Sequence, residues 1–264
     1  MSAVPAAVEV DRGRRFGGIA RLYGQAALEA LAHRRACVVG VGGVGSWVAE
    51  TLARSGVGCL RLVDLDHVAE SNINRQIHAL EPTLGQAKVL AMRDRIAAID
   101  PGIAVEVVEE FLTPANAAAL VAGCDVVVDA VDDMNAKLAL VLACRAARVP
   151  LVVCGGAGGK TDPTRIRVDD LARATHDPLL SRLRRRLRAE HGFPREPKRR
   201  FAVTAVYSEQ PPLLPDACEA APQGLACAGY GSSMAVTASF GLFAASRALD
   251  ALFAPAHHDM GEHQ

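Results

Sequence analysis

Lysine is scarce in this 264-residue sequence: Lys88, Lys137, Lys160 and Lys198 stand against 25 arginines. Aromatic residues make up only 4% of the chain, with a single tryptophan. Neither sign of charge is in excess, since 29 basic side chains balance 29 acidic ones. That balance excludes a disordered polyelectrolyte and gives no global pull toward nucleic acid, although it leaves local patches open. The seven cysteines are Cys37, Cys59, Cys124, Cys144, Cys154, Cys218 and Cys227, and no two stand at C-x-x-C spacing, so no structural zinc site is expected. Odd in number and set mostly in apolar runs, they suit reduced, buried thiols and a cytoplasmic location better than a disulfide framework. Residues Met1 to Arg15 mix acids and arginines without an apolar stretch, and no secretory signal is expected there. The arginine excess, with 48 alanines, reads as compositional bias. An arginine run is therefore weaker evidence than usual, and a well-placed lysine slightly stronger.

What is present is a 50% hydrophobic chain long enough to bury roughly 70–75% of its unfolded surface. Apolar, β-branched runs at 37–41, 59–66, 104–111, 125–131 and 150–154 alternate with helix-period segments near 44–55, 85–98, 115–122 and 134–147. This alternation predicts an α/β fold, a doubly wound, Rossmann-like, mostly parallel sheet. Beyond Pro163 the pattern loosens into an elaborated C-terminal third. A strand is expected at Arg165–Val168, a helix at Pro178–Glu190, a strand at Phe201–Tyr207 and a Pro-rich loop after it. One domain is expected, with a nucleotide-binding core at about 30–160 and the elaboration at about 161–254. No charged residue occurs from Ala220 to Ser246. Pro222 and four glycines break this stretch, which favours a buried or dimer-facing helix over a membrane span.

Gly40-Val41-Gly42-Gly43-Val44-Gly45 follows an expected strand and opens an expected helix, the context that a G-x-G-x-x-G nucleotide loop requires. Its glycines allow close backbone approach, and the helix N-terminus with Ser46 offers donors to phosphate oxygens. Asp64, in Val63-Asp64-Leu65-Asp66, stands where a carboxylate binds a ribose hydroxyl. A dinucleotide oxidoreductase would also satisfy these features. Ser71-Asn72-Ile73-Asn74-Arg75-Gln76 and Lys88 then supply amides and cations, which suit the leaving pyrophosphate of a triphosphate better than a bridged redox cofactor. Asp132, after the fourth strand, offers a carboxylate for Mg²⁺. Taken singly, Arg75 reads as a surface base, Lys88 as a solvated helix residue and Asp132 as an N-cap.

Together these residues resemble the E1-like adenylating family, through Gly40–Gly45, Asp64-Leu65-Asp66, Asn72–Gln76, Lys88 and Asp129-Ala130-Val131-Asp132. The resemblance implies ATP and Mg²⁺ as cofactors, with Asp64 on the ribose. Asn72, Arg75 and Lys88 would lie on the phosphates and Asp132 on the metal, and Asp66, Asn74 and Gln76 would complete the nucleotide-binding set. It also implies a homodimer in which Arg15 or Arg21 reaches the partner's ATP, and a sulfur-transfer partner, a cysteine desulfurase or sulfur acceptor. Within the family the chain is most similar to the branch that dehydrates N6-threonylcarbamoyladenosine at tRNA position 37 to its cyclic form, by adenylating the threonyl carboxylate. The carriers are Arg15-Phe16-Gly17-Gly18, Ala20–Gly24, Asn74–Leu80, Gly155–Gly159, Asp162-Pro163-Thr164 and the region from Cys227 to Phe243. The alternative within the family is an enzyme that activates the C-terminus of a ubiquitin-like or sulfur-carrier protein, whose usual C-x-x-C pairs are missing here.

Gly155, Gly156, Gly158 and Gly159 are expected to admit the modified base, or else to form a strand-end turn crossing close to another backbone. Arg184, Arg185 and Arg186, within Arg182–Arg188, are expected to contact tRNA phosphates together with Lys198-Arg199-Arg200. The competing reading is a solvated helix face. Cys227 is read as a packing or loop thiol, because adenylation followed by ring closure requires no catalytic cysteine.

Overall fold

The computed structural model describes residues 10–196, 198–213 and 230–254. Seven strands, β1 (Arg35–Val39), β2 (Cys59–Val63), β3 (Ala104–Val108), β4 (Val126–Asp129), β5 (Leu151–Cys154), β6 (Ile166–Asp170) and β7 (Thr204–Ser208), form one sheet in the order β3-β2-β1-β4-β5-β7-β6. Every neighbouring pair is parallel except β6 with β7. Eight helices accompany the strands among the described residues: α1 (Arg12–Tyr23), α2 (Gln25–Leu31), α3 (Gly45–Arg54), α4 (Lys88–Ile99), α5 (Ala117–Val121), α6 (Met134–Ala147), α7 (Pro178–Glu190) and α8 (Met234–Phe253).

The pleat sorts the side chains into two cores. Ala36 and Val38 of β1, Val126 and Val128 of β4, and Val152 of β5 face Leu52, Met92, Phe240 and Ala244 on α3, α4 and α8. Cys37, Val39, Val127 and Val153 face Leu120, Leu140, Leu183 and Leu187 on α5, α6 and α7. A sheet covered on both faces has no polar alternation, which is why its strands read as continuous apolar runs.

Helix α8 answers the membrane question raised by its composition. It is long and apolar enough to cross a bilayer, yet it packs against the sheet, burying Val236, Phe240, Ala244, Ala248 and Leu252. Its small residues serve contact: a Cβ on Gly241 would come within 2.7 Å of the Trp47 Cβ and the Val44 carbonyl oxygen.

Helices α1 and α2 had no counterpart among the expected elements. Asp11 caps α1 by accepting the Arg14 N–H, and Arg12 anchors the helix to buried Asp100 at 2.6 Å. Helix α7 matches its expected span, capped by Asp177 with Pro178 at its first position. The strand expected at 201–207 runs instead from Thr204 to Ser208. Four of the first five strands end earlier than their apolar runs, at Val39, Val63, Val108 and Asp129. The residues left over, including Gly40, Asp64 and Ala130, are loops on the carboxyl edge of the sheet. At Gly40 the backbone leaves the strand with φ of 84°, and a Cβ there would meet the Ala130 carbonyl at 2.9 Å. Pro215, Cys218, Pro222 and Cys227 lie outside the described residues.

Candidate active site

The strand order reverses between β1 and β4, and the carboxyl ends on either side of that point frame a crevice, the usual ligand position in an open α/β sheet. The Gly40–Gly45 loop leaves β1, Asp64 follows β2, Asp132 follows β4 and the Gly155–Gly159 loop follows β5. Four segments far apart in sequence therefore meet along one edge.

In the glycine loop the positions divide by role. A Cβ on Gly45 would lie 1.8 Å from the Gly40 carbonyl oxygen, so this glycine is demanded by helix-on-strand packing. Gly42 has open space, with Gln76 Nε2 the nearest group at 3.9 Å. Gly43 lies under the Arg75 side chain, whose carbons would stand 3.2 Å from a Cβ. Ser46 in the first turn of α3 and Gln76 opposite are both buried, and Ser46 Oγ and Gln76 Oε1 have no hydrogen-bond partner. Buried polar atoms left unpaired beside a phosphate-type loop fit a polar ligand that completes them.

Asp64 accepts the Val41 N–H at 2.6 Å and the Asp66 N–H at 2.9 Å, so it shapes the loop and keeps acceptor capacity for a ribose hydroxyl. Burial pushes its carboxyl up, and Lys88 with the two N–H groups pulls it back. Lys88, the first residue of α4, has a buried side chain ion-paired to exposed Asp66 at 2.7 Å. Arg75 is held by the Ser71 carbonyl at 2.8 Å and Asn74 Oδ1 at 3.1 Å, and its own carbonyl accepts the Trp47 indole N–H. Asn72 accepts the Ala69 N–H and so also ties its own turn, while Asn74 donates to the Ser232 carbonyl. His78 is buried with neither ring nitrogen paired, and burial, reinforced by Lys88 and Arg95, lowers it to about 4.

Asp132 is exposed. The N-cap reading passes to its neighbour, since Asp133 Oδ1 accepts the Ala136 N–H. Among the described residues no three His, Cys, Asp or Glu side chains converge into a metal cage. An exposed carboxylate on this edge of the sheet, as Asp132 is, suits Mg²⁺, which commonly takes one or two carboxylates and completes its shell from substrate phosphates and water.

The β4–β5 side holds pairings between distant residues that sequence reasoning missed. Lys137 and Asp129 form a fully buried ion pair at 3.0 Å, and burial raises the Asp129 carboxyl while Lys137 opposes it. Buried Asp177 accepts the Gly156 N–H at 2.9 Å as well as capping α7. A Cβ on Gly155 would sit 2.2 Å from the Asp177 carboxylate, and Gly159, with φ of 69°, packs against Tyr230 and Pro212. Gly158 also faces Tyr230. Lysine scarcity was the one signal for Lys137, placed as it is inside an otherwise apolar helix.

The arginines separate. Arg184, Arg185, Arg188 and Arg195 line a cleft of about 450 Å³ with Ser181 and Ala189. Arg184 Nη1 is buried without a partner, and burial plus neighbouring Arg188 weakens its hold on the proton. Arg186 is instead paired to Glu190 and Asn135, away from that cleft. Lys198, Arg199 and Arg200 are exposed. At the N-terminus Arg15 donates to the Ile99 carbonyl at 2.6 Å, whereas Arg21 makes no ion pair among the described residues.

Known proteins resemble this chain over nearly its whole length. The chain is 44% identical to the tRNA threonylcarbamoyladenosine dehydratase of Escherichia coli, over 92% of its own length and 95% of the relative's. It is 42% identical to the enzyme of that name from Haemophilus influenzae, over 90% and 93% of the two chains. The crystal structure of the E. coli dehydratase in complex with ATP matches with a TM-score of 0.85, covering 94% of this chain and 97% of that one. The model of the ThiF family matches residues 17–261. The chain belongs to the ThiF family.

Proposed function

We propose that this chain is an ATP-dependent tRNA threonylcarbamoyladenosine dehydratase. What supports the reading is that the glycine loop, Asp64 and Asp132 follow the carboxyl ends of neighbouring strands, with Arg75 over Gly43 and Lys88 paired to Asp66, in a chain alike from end to end to a dehydratase solved with ATP. The open Gly42 position and the α3 N-terminus receive the phosphates, with Ser46 and Gln76 as donors and acceptors, and Asp64 takes the ribose. Asp132 would hold Mg²⁺, which supplies charge neutralisation across the phosphate oxygens. Arg75 and Lys88 stabilise the charge that develops on pyrophosphate as the threonyl carboxylate attacks the α-phosphorus. The product is a mixed anhydride with AMP. A nucleophile of the same side chain then attacks the activated carbonyl, AMP leaves and a proton is lost. The sum over both steps is removal of one water. Because nucleophile and carbonyl are already tethered, proximity lowers the barrier of the second step.

The Arg184–Arg195 cleft serves tRNA phosphates. Arg184 stands seven residues beyond Asp177, about 10 Å along α7 from the Gly156 backbone. Exposed Leu22 on α1 and Leu242 and Phe243 on α8 support a homodimer, and of Arg15 and Arg21 it is Arg21, exposed and without an ion pair among the described residues, whose charge is available to a second subunit.

The test is incubation of the protein with ATP, Mg²⁺ and tRNA bearing threonylcarbamoyladenosine, followed by nucleoside mass spectrometry. The expected product is lighter by one water and absent without ATP. Asp132→Ala should abolish ATP–pyrophosphate exchange. Exchange without any cyclised nucleoside would overturn the dehydratase reading in favour of carrier-protein activation.

A further inference from the structure

Burying an ammonium group is costly, and an apolar side chain of similar volume often serves a core as well. Lys137 on α6 is nonetheless fully buried, as is its partner Asp129. Its Nζ donates to Asp129 Oδ1 at 3.0 Å and to the Cys154 carbonyl at 2.7 Å. Those acceptors belong to the last residue of β4 and the last residue of β5. The same Asp129 oxygen accepts the Val131 N–H at 3.2 Å, which sets the turn leading into Asp132. Gly155 follows Cys154 directly, and Gly156 is fixed from the other side by Asp177. One ammonium thus holds the strand end that leads to Asp132 against the strand end that leads to the Gly155–Gly159 loop.

We propose that Lys137, through Asp129 and the Cys154 carbonyl, is a positioning residue that couples adenylation to ring closure. It keeps the loop after β5 in register with the phosphate side of the crevice, so that the activated carbonyl meets its tethered nucleophile before it meets water. This inference rests on the dehydratase reading above. Lys137 itself is too deeply buried to touch nucleotide or RNA. A pair serving stability alone would need no particular address. Here both acceptors stand immediately before the two loops that the two half-reactions use. When the strand ends loosen, water attacks the carbonyl carbon of the mixed anhydride and the bond to AMP breaks. The free carboxylate, AMP and a proton are released, and ATP is consumed without product.

The measurement is AMP released per cyclic nucleoside formed, using the full chain, ATP, Mg²⁺ and tRNA carrying the modification. The unmodified protein should give a ratio near one. The double variant Asp129→Asn with Lys137→Met leaves no buried charge unpaired, and its melting temperature reports whether it folds. In the folded variant the ratio should rise by about fivefold or more, since small misplacements at reacting centres carry large rate penalties. Should the double variant fail to fold, Lys137→Arg keeps the charge but changes the donor geometry, and the same ratio is read. A folded variant whose ratio equals that of the unmodified protein, whatever its overall rate, would overturn the proposal. If the unmodified protein releases no AMP with this tRNA, the dehydratase reading falls and takes this one with it.

Discussion

The two sides of the crevice are built by opposite means. On the β1–β2 side the chemistry-bearing groups stand at or near the surface of the cleft: Gly42 opens onto free space, Asp64 is half-buried, and Lys88 reaches exposed Asp66. On the β4–β5 side, exposed Asp132 and Asp133 apart, the charged groups are buried, and they act on backbone. Lys137 holds a carbonyl, Asp177 holds an N–H, and Asp129 holds the turn before Asp132. One side presents groups to a ligand, and the other spends its charge on the shape of two loops. The lesson concerns substitutions: on the first side they should separate binding from stability, and on the second they should couple them.

The largest effect is expected where even the first side is purely structural. Gly45→Ala places a Cβ 1.8 Å from the Gly40 carbonyl, and backbone cannot yield as a flexible side chain can. The variant should lose about 3 kcal/mol or more of stability, the upper range for overpacking. Chemical denaturation measures it, and a midpoint within error of the parent would show that the loop is not wedged between α3 and β1.

Acid should expose the next largest effect. His78 is neutral and buried, lowered from its ordinary 6.5 to about 4. An unfolded chain therefore takes up a proton below pH 6.5 that the folded chain refuses until about pH 4. Stability is full above pH 6.5 and is lost progressively as pH falls toward 4, by about 3 kcal/mol at most. His78→Phe keeps a ring of similar size without a titrating group. Its stability should fall less steeply than the parent's between pH 6.5 and 4. Equal slopes would assign the acid sensitivity to other groups.

The same contrast explains how much could be read in advance. The β1–β2 side was legible because its signals are contiguous: Gly40–Gly45, Asp64–Asp66 and Ser71–Gln76 each carry their chemistry within six residues. The β4–β5 side was not, because its logic joins distant residues. Gly155 is a glycine on account of Asp177, and Lys137 looks like a stray charge until Cys154 is placed beside it. Helix α1 escaped notice for a related reason. Its sequence is Arg- and Gly-rich, with only Phe16 buried, and its anchor Asp100 lies 88 residues beyond Arg12. Strand ends were overrun because apolar character continues past the point where the backbone turns away to form the crevice.

The smallest effects on stability give the sharpest comparison, through two alanine substitutions at glycines on opposite sides. Gly42→Ala meets nothing closer than 3.9 Å, so stability should change by less than about 0.5 kcal/mol. Its Cβ would nevertheless project into the space where phosphate must approach the backbone, and ATP affinity should fall by about tenfold or more. Gly155→Ala should do the reverse. The Asp177 carboxylate in its way is pinned by the Gly156 and Leu180 N–H groups, so yielding means weakening the α7 cap, at about 1–2 kcal/mol. ATP affinity, set mainly by the β1–β2 side, should stay within about twofold because Gly42 and Gly155 share no neighbouring group. Titration calorimetry with ATP beside thermal denaturation reads both variants. If Gly42→Ala binds ATP as the parent does, the loop is no phosphate cradle. If Gly155→Ala loses ATP affinity and stability together, the two sides are one mechanical unit and the division drawn between them is wrong.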